Sequence, residues 1–387
     1  MTMLIIQLKQ NKEFPVMKGH PWVFSGAVDN VQGSPDEKPG LCRVIDSSGK
    51  FVCQGFYSPF SQIAVRVLTC TKEHVDREFL RRRITRCIEL RKKIINGNTT
   101  CFRLVHSEGD GIPGLIVDIY NDVLVMQFLC AGIEDFKDEV VSIFRDIYPK
   151  CMIHERSDIK SRNAEGLRPL SGPLHGELNS GEIKVVENGN PFLVDILTGE
   201  KTGFFLDHRH NRERFGSFAA GKDVLDLFSY TGSFSIYAIA GGAKSVVSVD
   251  NSSPAQSLLK KNMEINQIKP FVWKHVRDDV SRFLSNERAV YDLIICDPPS
   301  FSKDFEEYMK INSLAMARLK PGGILFTTGL LHSQFNSTDM IKAINWASEK
   351  ASRNARILEP LYQASDFPVL PSHIQGAHLC GYILYVE

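Results

Sequence analysis

The stretch Val224-Leu225-Asp226-Leu227-Phe228-Ser229-Tyr230-Thr231-Gly232-Ser233-Phe234-Ser235 leaves this chain few architectures to adopt. An apolar run ends in a small polar turn, and an apolar, helix-compatible stretch follows from Ile236 to Ala240. The pattern predicts a buried parallel strand feeding a helix, which is where open α/β sheets hold their ligands. A second apolar run, Ser245 to Val249, ends at Asp250, 24 residues after Asp226. That spacing is close to the roughly 20 residues between a nucleotide-binding turn and the acid that grips the ribose hydroxyls. An ordinary strand-turn-helix packing unit fits the same residues.

The turn has one glycine, Gly232, and lacks the G-x-G-x-x-G that lets backbone approach a pyrophosphate. A nucleoside ligand without phosphates, such as S-adenosylmethionine, makes no such demand. At 387 residues the chain has room for two or three domains. Lysine and arginine number 46 against 45 acids, so no global field draws it to nucleic acid, and such binding would need local patches. Nine scattered cysteines, odd in number and without a C-x-x-C pair, point to reduced thiols in a cytosol rather than disulfides or zinc. Met1 to Lys12 reads as a short strand rather than a signal peptide, and no apolar run approaches the roughly 18 residues of a membrane span. The expectation is a cytoplasmic protein with no membrane partner.

Residues 1–72 read as a small β-rich domain, with strands at Leu4–Leu8, Leu41–Ile45, Phe51–Phe56 and Ile63–Leu68. Within it, Lys18-Gly19-His20-Pro21-Trp22-Val23-Phe24 suggests a turn with Trp22 and Phe24 in the core and Lys18 and His20 facing a phosphate backbone. Residues 73–182 read as an α+β unit. Its helix, Val75 to Ile95, carries eight cations including Arg82 and Arg86 against three acids. Either a solvated face or a phosphate-tracking surface accounts for them. Asn188-Gly189 between apolar runs predicts a hairpin that opens a last domain, 183–387. There Val224–Phe228, Ser245–Val249, a weak run at Phe271–Trp273, Leu293–Cys296, Ile324–Thr327 and Leu379–Val386 alternate with helices, predicting a mostly parallel, doubly wound α/β sheet.

Asp297-Pro298-Pro299-Ser300-Phe301 follows a strand, so it lies on the same rim as Gly232 and Asp250. Two prolines remove two donors and fix φ, which turns the Asp297 carboxylate toward the crevice, where it can accept from a base amine. In Arg277-Asp278-Asp279-Val280 one acid is placed to accept from an adenine amino group. Asp279 fits better and Asp278 competes, while helix capping suits either.

Together these residues resemble the bacterial large-subunit (23S) ribosomal RNA methyltransferases, which join an N-terminal PUA domain and a small central domain to a class I, Rossmann-like S-adenosylmethionine-dependent domain. The resemblance covers nearly the whole chain. His20 to Phe24 and Ile63 to Arg66 resemble the PUA pattern. Arg103 to His106, Asp110 to Leu115 and Glu155 to Asp158 resemble the central domain. Lys201 to Asp207 with Arg209, the Asp226 to Gly232 turn, Asp250 and Asp297 to Pro299 resemble the cofactor and base site. The resemblance implies S-adenosylmethionine contacts from Lys201, Thr202, Arg209, Asp226, Phe228, Ser229, Thr231, Gly232, Asp250, Asp279 and Asp297. It implies chemistry at Asp297 and Pro298, RNA contacts from Lys18, His20, Arg82 and Arg86, no metal, and a homodimer.

Two departures bear on the chemistry. Many members have a glutamine where this chain has His208. Members that methylate carbon-5 of cytosine resemble one another in a cysteine after the strand that here runs Gly323 to Thr327, because a thiolate must add to carbon-6 before carbon-5 can attack. Leu330 takes that place here, and Cys296 reads as inert core. Transfer to a ring or exocyclic nitrogen, transfer to carbon-5 with an unaligned thiol, and a non-catalytic cofactor- and RNA-binding module are the readings that follow.

Overall fold

The computed structural model describes residues 3–33, 39–299, 305–331 and 335–387, so Ser300, Phe301, His332 and Ser333 lie outside the described residues. The chain forms two compact units that interleave along the sequence. The first holds the residues up to Ile183 with Asp195–Phe204 and Ser365–Gly376; the second holds Lys184–Val194, Phe205–Ala364 and Ala377–Glu387.

The first unit contains β1 (Leu4–Leu8), β2 (Trp22–Phe24), β3 (Val28–Gln32), β4 (Gly40–Ile45), β5 (Phe51–Tyr57) and β6 (Ile63–Thr69), in the spatial order β2-β6-β5-β4-β1-β3. Alternation drives the sheet: Leu4, Ile6 and Leu8 are buried while Ile5 and Gln7 turn outward. All four expected strands are present. Trp22 and Phe24 correct the sequence reading, because they form β2 and leave the core: Phe24 is 49% exposed and Trp22 half-buried. The short strand alternates, so burying Val23 turns both aromatic neighbours away.

A five-stranded sheet follows, from β7 (Cys101–His106), β8 (Leu115–Tyr120), β9 (Val123–Phe128), β10 (Met152–Ser157) and β11 (Leu170–His175), ordered β11-β10-β9-β8-β7. Helices Arg77–Ile94 and Lys137–Ile147 pack on it through Phe79, Leu80, Ile84, Ile88, Val140 and Phe144. The first of these helices starts at Asp76, whose carboxylate accepts from Phe79 N at 2.9 Å, and ends among Arg91, Lys92 and Lys93, which complement the helix dipole.

Most of its cations are not free to track phosphate, and this revises the expected surface. Arg77 and Arg81 pair with Asp146, and Arg82 pairs with Glu73. Arg83 donates to the carbonyls of Leu68 and Gly111. Arg91 is buried in a two-pronged ion pair with Asp110 and also donates to the Asp366 carbonyl.

The second unit opens with the hairpin β12 (Glu182–Glu187) and β13 (Asn190–Asp195). Asn188 and Gly189 sit at φ 47° and 85°, the left-handed pair that a two-residue turn requires. Arg212 closes on Glu187 in a fully buried ion pair, fastening the hairpin to helix Arg209–Ser217. Then come β14 (Asp223–Leu227), β15 (Ser245–Asp250), β16 (Trp273–Arg277), β17 (Tyr291–Cys296), β18 (Leu319–Leu330), β19 (Ala355–Tyr362) and β20 (Leu379–Val386). Their order is β16-β15-β14-β17-β18-β20-β19, parallel through β18 with β20 and β19 antiparallel. The order reverses between β15 and β17 on either side of β14, which makes the carboxyl end of β14 a switch point. The weak run at Phe271–Trp273 is displaced: the strand begins at Trp273, and Phe271 is 81% exposed. β19 escaped the sequence reading because an edge strand buries little, here chiefly Leu361.

Candidate functional site

The carboxyl ends of β14, β15, β16 and β17 carry the residues singled out above. After β14 the backbone turns sharply. Phe228 and Tyr230 take left-handed φ of 60° and 46°, and Gly232 takes 80°. A Cβ at Gly232 would stand 3.0 Å from Leu259 Cγ, so both the turn and the packing require glycine. The strain is held in place by fixed partners. Ser229 N donates to Val249 O at 3.1 Å, Tyr230 N to Asp250 Oδ2 at 2.9 Å, and Gly232 N to Ser229 O at 2.7 Å. Asn262, from helix Ser253–Ile265, donates to Thr231 O and exchanges two hydrogen bonds with the Leu193 backbone.

Asp226 is buried beneath this turn. Its Oδ2 accepts from Ser235 N at 3.0 Å and Ser235 Oγ at 2.6 Å, and the chain continues to Ser248 Oγ and Trp273 Nε1. Burial raises its pKa from 3.8 to about 7; the Ser235 bonds oppose this, and Asp297 and Asp250 reinforce it. Asp226 thus ties strand, turn and helix together. Ser229 Oγ and Thr231 Oγ1 are buried and have no hydrogen-bond partner among the described residues. Two orphaned hydroxyls inside a strained turn at a switch point suit a polar, phosphate-free ligand such as the amino acid and ribose parts of S-adenosylmethionine.

Asp250 ends β15, half-buried, its Oδ1 accepting from Ser252 N and its Oδ2 from Tyr230 N. Asp279 is exposed and caps helix Val280–Asn286 by accepting from Arg282 N at 2.9 Å. Asp278 likewise uses its Oδ1, which accepts from Asp279 N and Arg282 Nε, so the hydrogen bonds do not choose between the two acids.

Asp297 follows β17 directly. Thr328 Oγ1, on the neighbouring strand β18, donates to its Oδ1, and His208 Nε2 stands 3.4 Å from its Oδ2. Pro298 is buried and Pro299 exposed. His208 is buried against the Phe234 ring, with Asn211 beside its Nδ1. The neighbouring Asp207 holds His378 Nε2 at 2.9 Å. Arg209 is buried at the start of its helix. Leu330 closes β18, half-buried. Cys296 is wholly buried, and burial, with Asp297 adding, pushes its thiol far above the ordinary range.

Thr328 is the neighbour of Asp297 that sequence reasoning left out, and His208 was singled out only as a departure from the family's glutamine. A signal for Thr328 exists in the register: Cys296 pairs with Thr327, so the next residues, Asp297 and Thr328, must meet. Lys201 and Thr202 lie in the first unit. Lys201 has φ 58°, and the Thr202 hydroxyl donates to Asp118 Oδ2 at 2.7 Å and pairs with Tyr120 Oη at 2.8 Å. Also in that unit, His20 and Arg86 line one cavity, Lys18 is exposed, and Arg82 is ion-paired.

A family model for S-adenosylmethionine-dependent methyltransferases matches residues 170–373, and one for PUA-like domains matches residues 6–70. The chain belongs to the S-adenosylmethionine-dependent methyltransferase family, and S-adenosylmethionine is its cofactor. Among curated relatives, an Aeromonas salmonicida protein named ribosomal RNA large subunit methyltransferase I is 38% identical, covering 98% of this chain and 99% of its own. A Shewanella amazonensis protein of the same name is 39% identical over the same shares. A solved Streptococcus mutans structure, described as a S-adenosylmethionine-dependent methyltransferase, shares the fold with TM-score 0.86 at 24% identity, covering 99% of this chain and 100% of that one.

Proposed function

We propose that this enzyme methylates a nitrogen atom of a base in large-subunit ribosomal RNA. The names of the curated relatives support the RNA class. The observation that carries the choice of nitrogen is Asp297, whose carboxylate is held by Thr328 beside His208 at the sheet rim, while both cysteines of its unit are buried. Carbon-5 chemistry needs a thiolate. The second unit has two cysteines, Cys296 and Cys380, both buried and both pushed up by burial, and Leu330 offers no nucleophile.

Bound S-adenosylmethionine supplies a methyl group already activated by its sulfonium. The chain's own residues hold and orient. The Ser229 and Thr231 hydroxyls and the turn from Phe228 to Gly232 take the polar end, Asp250 the ribose hydroxyls, and Asp279 the adenine amine. Lys201, Thr202 and Arg209 complete the set on the strength of the resemblance, and Asp226 acts by holding the turn. The acceptor base turns out of its stack to reach Asp297, with Pro298 fixing the carboxylate. Asp297 would accept the hydrogen bond of the amine and take the proton it must lose as its nitrogen displaces the neutral thioether from the methyl carbon.

Residues 1–72 and 73–182 serve as RNA-holding domains for the catalytic residues 183–387. Nine free thiols support a cytoplasmic enzyme. Among the described residues no helix is long and apolar enough to cross a membrane. The resemblance adds a homodimer, which sedimentation at working concentration checks by mass.

Transfer of labelled methyl groups to ribosomal RNA tests the assignment. Asp297→Asn should lower turnover about a hundredfold or more, in the range of a lost general base. Cys296→Ser should retain turnover within about twofold, since a buried neutral thiol contributes packing alone. Loss of transfer in a folded Cys296→Ser protein would overturn the nitrogen reading.

A further inference from the structure

The segment from Lys9 through β2 displays what folding ordinarily hides. Between Lys9 and Phe24, Phe14 is 50% exposed, Met17 66% and Phe24 49%. Exposed Lys9, Lys12 and Lys18 are interleaved with them against one acid, Glu13. Exposed rings alternating with cations suit a single-stranded nucleic acid, whose bases stack on aromatic faces while its phosphates follow the charge.

The surface is also rigid. Trp22 Nε1 donates to Glu108 Oε1 at 2.8 Å. Arg66 bridges that carboxylate at 2.8 Å and Glu165 at 2.9 Å. Burial would raise the Glu108 pKa, but Arg66, Ser107 and Trp22 together hold it below the usual range, so the anchor stays charged. Upon this base the His20 ring lies 6.0 Å from Phe24 and 6.1 Å from Trp22, and the Trp22 and Phe24 rings stand nearly perpendicular. A ring held this way loses little conformational freedom when a base stacks on it.

His20 joins this platform to a cavity of about 420 Å³, which has the size of a small-ligand site. Arg86 lines that cavity, is exposed, and has no acid in ion-pair reach among the described residues, unlike Arg77, Arg81, Arg82 and Arg91 on the same helix. Arg83, the other guanidinium of the wall, is spent on two backbone carbonyls.

We propose that this face binds an unpaired RNA nucleotide, with its base stacked on the His20–Phe24 rings and its phosphate at Arg86. A paired helix is excluded as the occupant because A-form RNA presents phosphates and 2′-hydroxyls and keeps its base faces inside the stack. The proposal rests on the RNA reading above and narrows it from backbone holding to recognition of a single-stranded segment.

The test measures affinity of the full chain for a short mixed-sequence single-stranded RNA and for a blunt-ended duplex of equal length, across a salt series. Phe24→Ala should weaken single-strand binding by about tenfold, a typical loss for one stacked base, with the salt slope unchanged. Phe24→Trp should restore it. Arg86→Gln should lessen the salt slope by about 0.7, the value of one phosphate contact on a single strand. Melting temperature and S-adenosylhomocysteine affinity should stay at wild-type values in all three, because these residues are exposed and lie outside the cofactor site. Unchanged single-strand affinity in Phe24→Ala, or equal loss for both RNAs, overturns the proposal. Weakened binding to ribosomal subunits with unchanged RNA affinity also overturns it and assigns the face to protein. A wild-type protein that transfers methyl groups to RNA while Phe24→Ala does so equally well refutes this inference alone; a wild type that neither binds nor methylates RNA refutes the RNA reading beneath it.

Discussion

At the scale of single residues, Asp226 shows how one carboxyl serves the fold more than the ligand. The folded chain keeps its proton up to about pH 7, while the unfolded chain releases it near 3.8. Its contribution to stability is therefore complete below about pH 4 and is lost as pH rises through about 7. A shift of that size corresponds to roughly 4 kcal/mol. Asp226→Asn keeps the shape and cannot ionise. Denaturant unfolding of the two proteins should show the variant gaining on the wild type by up to that amount between about pH 4 and above about pH 7. Parallel pH curves would mean that the carboxyl is not the buried, desolvated group the geometry makes it. The other telling residue is Thr328. Its hydroxyl donates to Asp297, so that carboxylate is held by the neighbouring strand as well as by its own loop.

At the scale of elements, the turn after β14 is the part most dependent on its neighbours. Asn262 reaches from helix Ser253–Ile265 to both the Thr231 carbonyl and the Leu193 backbone of β13. Asn262→Ala strips three hydrogen bonds from buried groups and should cost about 2 kcal/mol of stability, with cofactor affinity falling several-fold because Ser229 and Thr231 lose their frame. Calorimetric titration with S-adenosylhomocysteine alongside denaturant melts checks both; an affinity equal to wild type would show that the turn holds itself.

Much of this element was legible beforehand. Apolar runs ending in Asp226, Asp250 and Asp297 announce strand ends, and strand ends in a parallel sheet share one rim. Thr328 was illegible because only sheet register brings it to Asp297, and His208 was noticed as a departure from the family while its place beside Asp297 comes from tertiary packing alone. Charge counts along the helix Arg77–Ile94 misled for a related reason: Arg91 meets Asp366, 275 positions away, and no local pattern marks that partner. Phe24 misled in the opposite sense, since hydrophobicity predicts burial and cannot register that the alternation of β2 turns this ring outward.

At the scale of the whole molecule, a chain with net charge +1 has no general attraction for RNA. In the proposed reading, selectivity rests on local faces in the first unit and chemistry on the rim of the second. That reading predicts methylation sensitive to RNA structure, because a target would need an unpaired segment as well as a reactive base. The most direct measurement is incubation of the full chain with labelled S-adenosylmethionine and unmodified ribosomal RNA, followed by digestion to nucleosides and identification of the labelled one by mass. The account predicts a base methylated on nitrogen. Labelled 5-methylcytosine would contradict it, because that product requires a thiolate, and burial holds both Cys296 and Cys380 toward the neutral thiol.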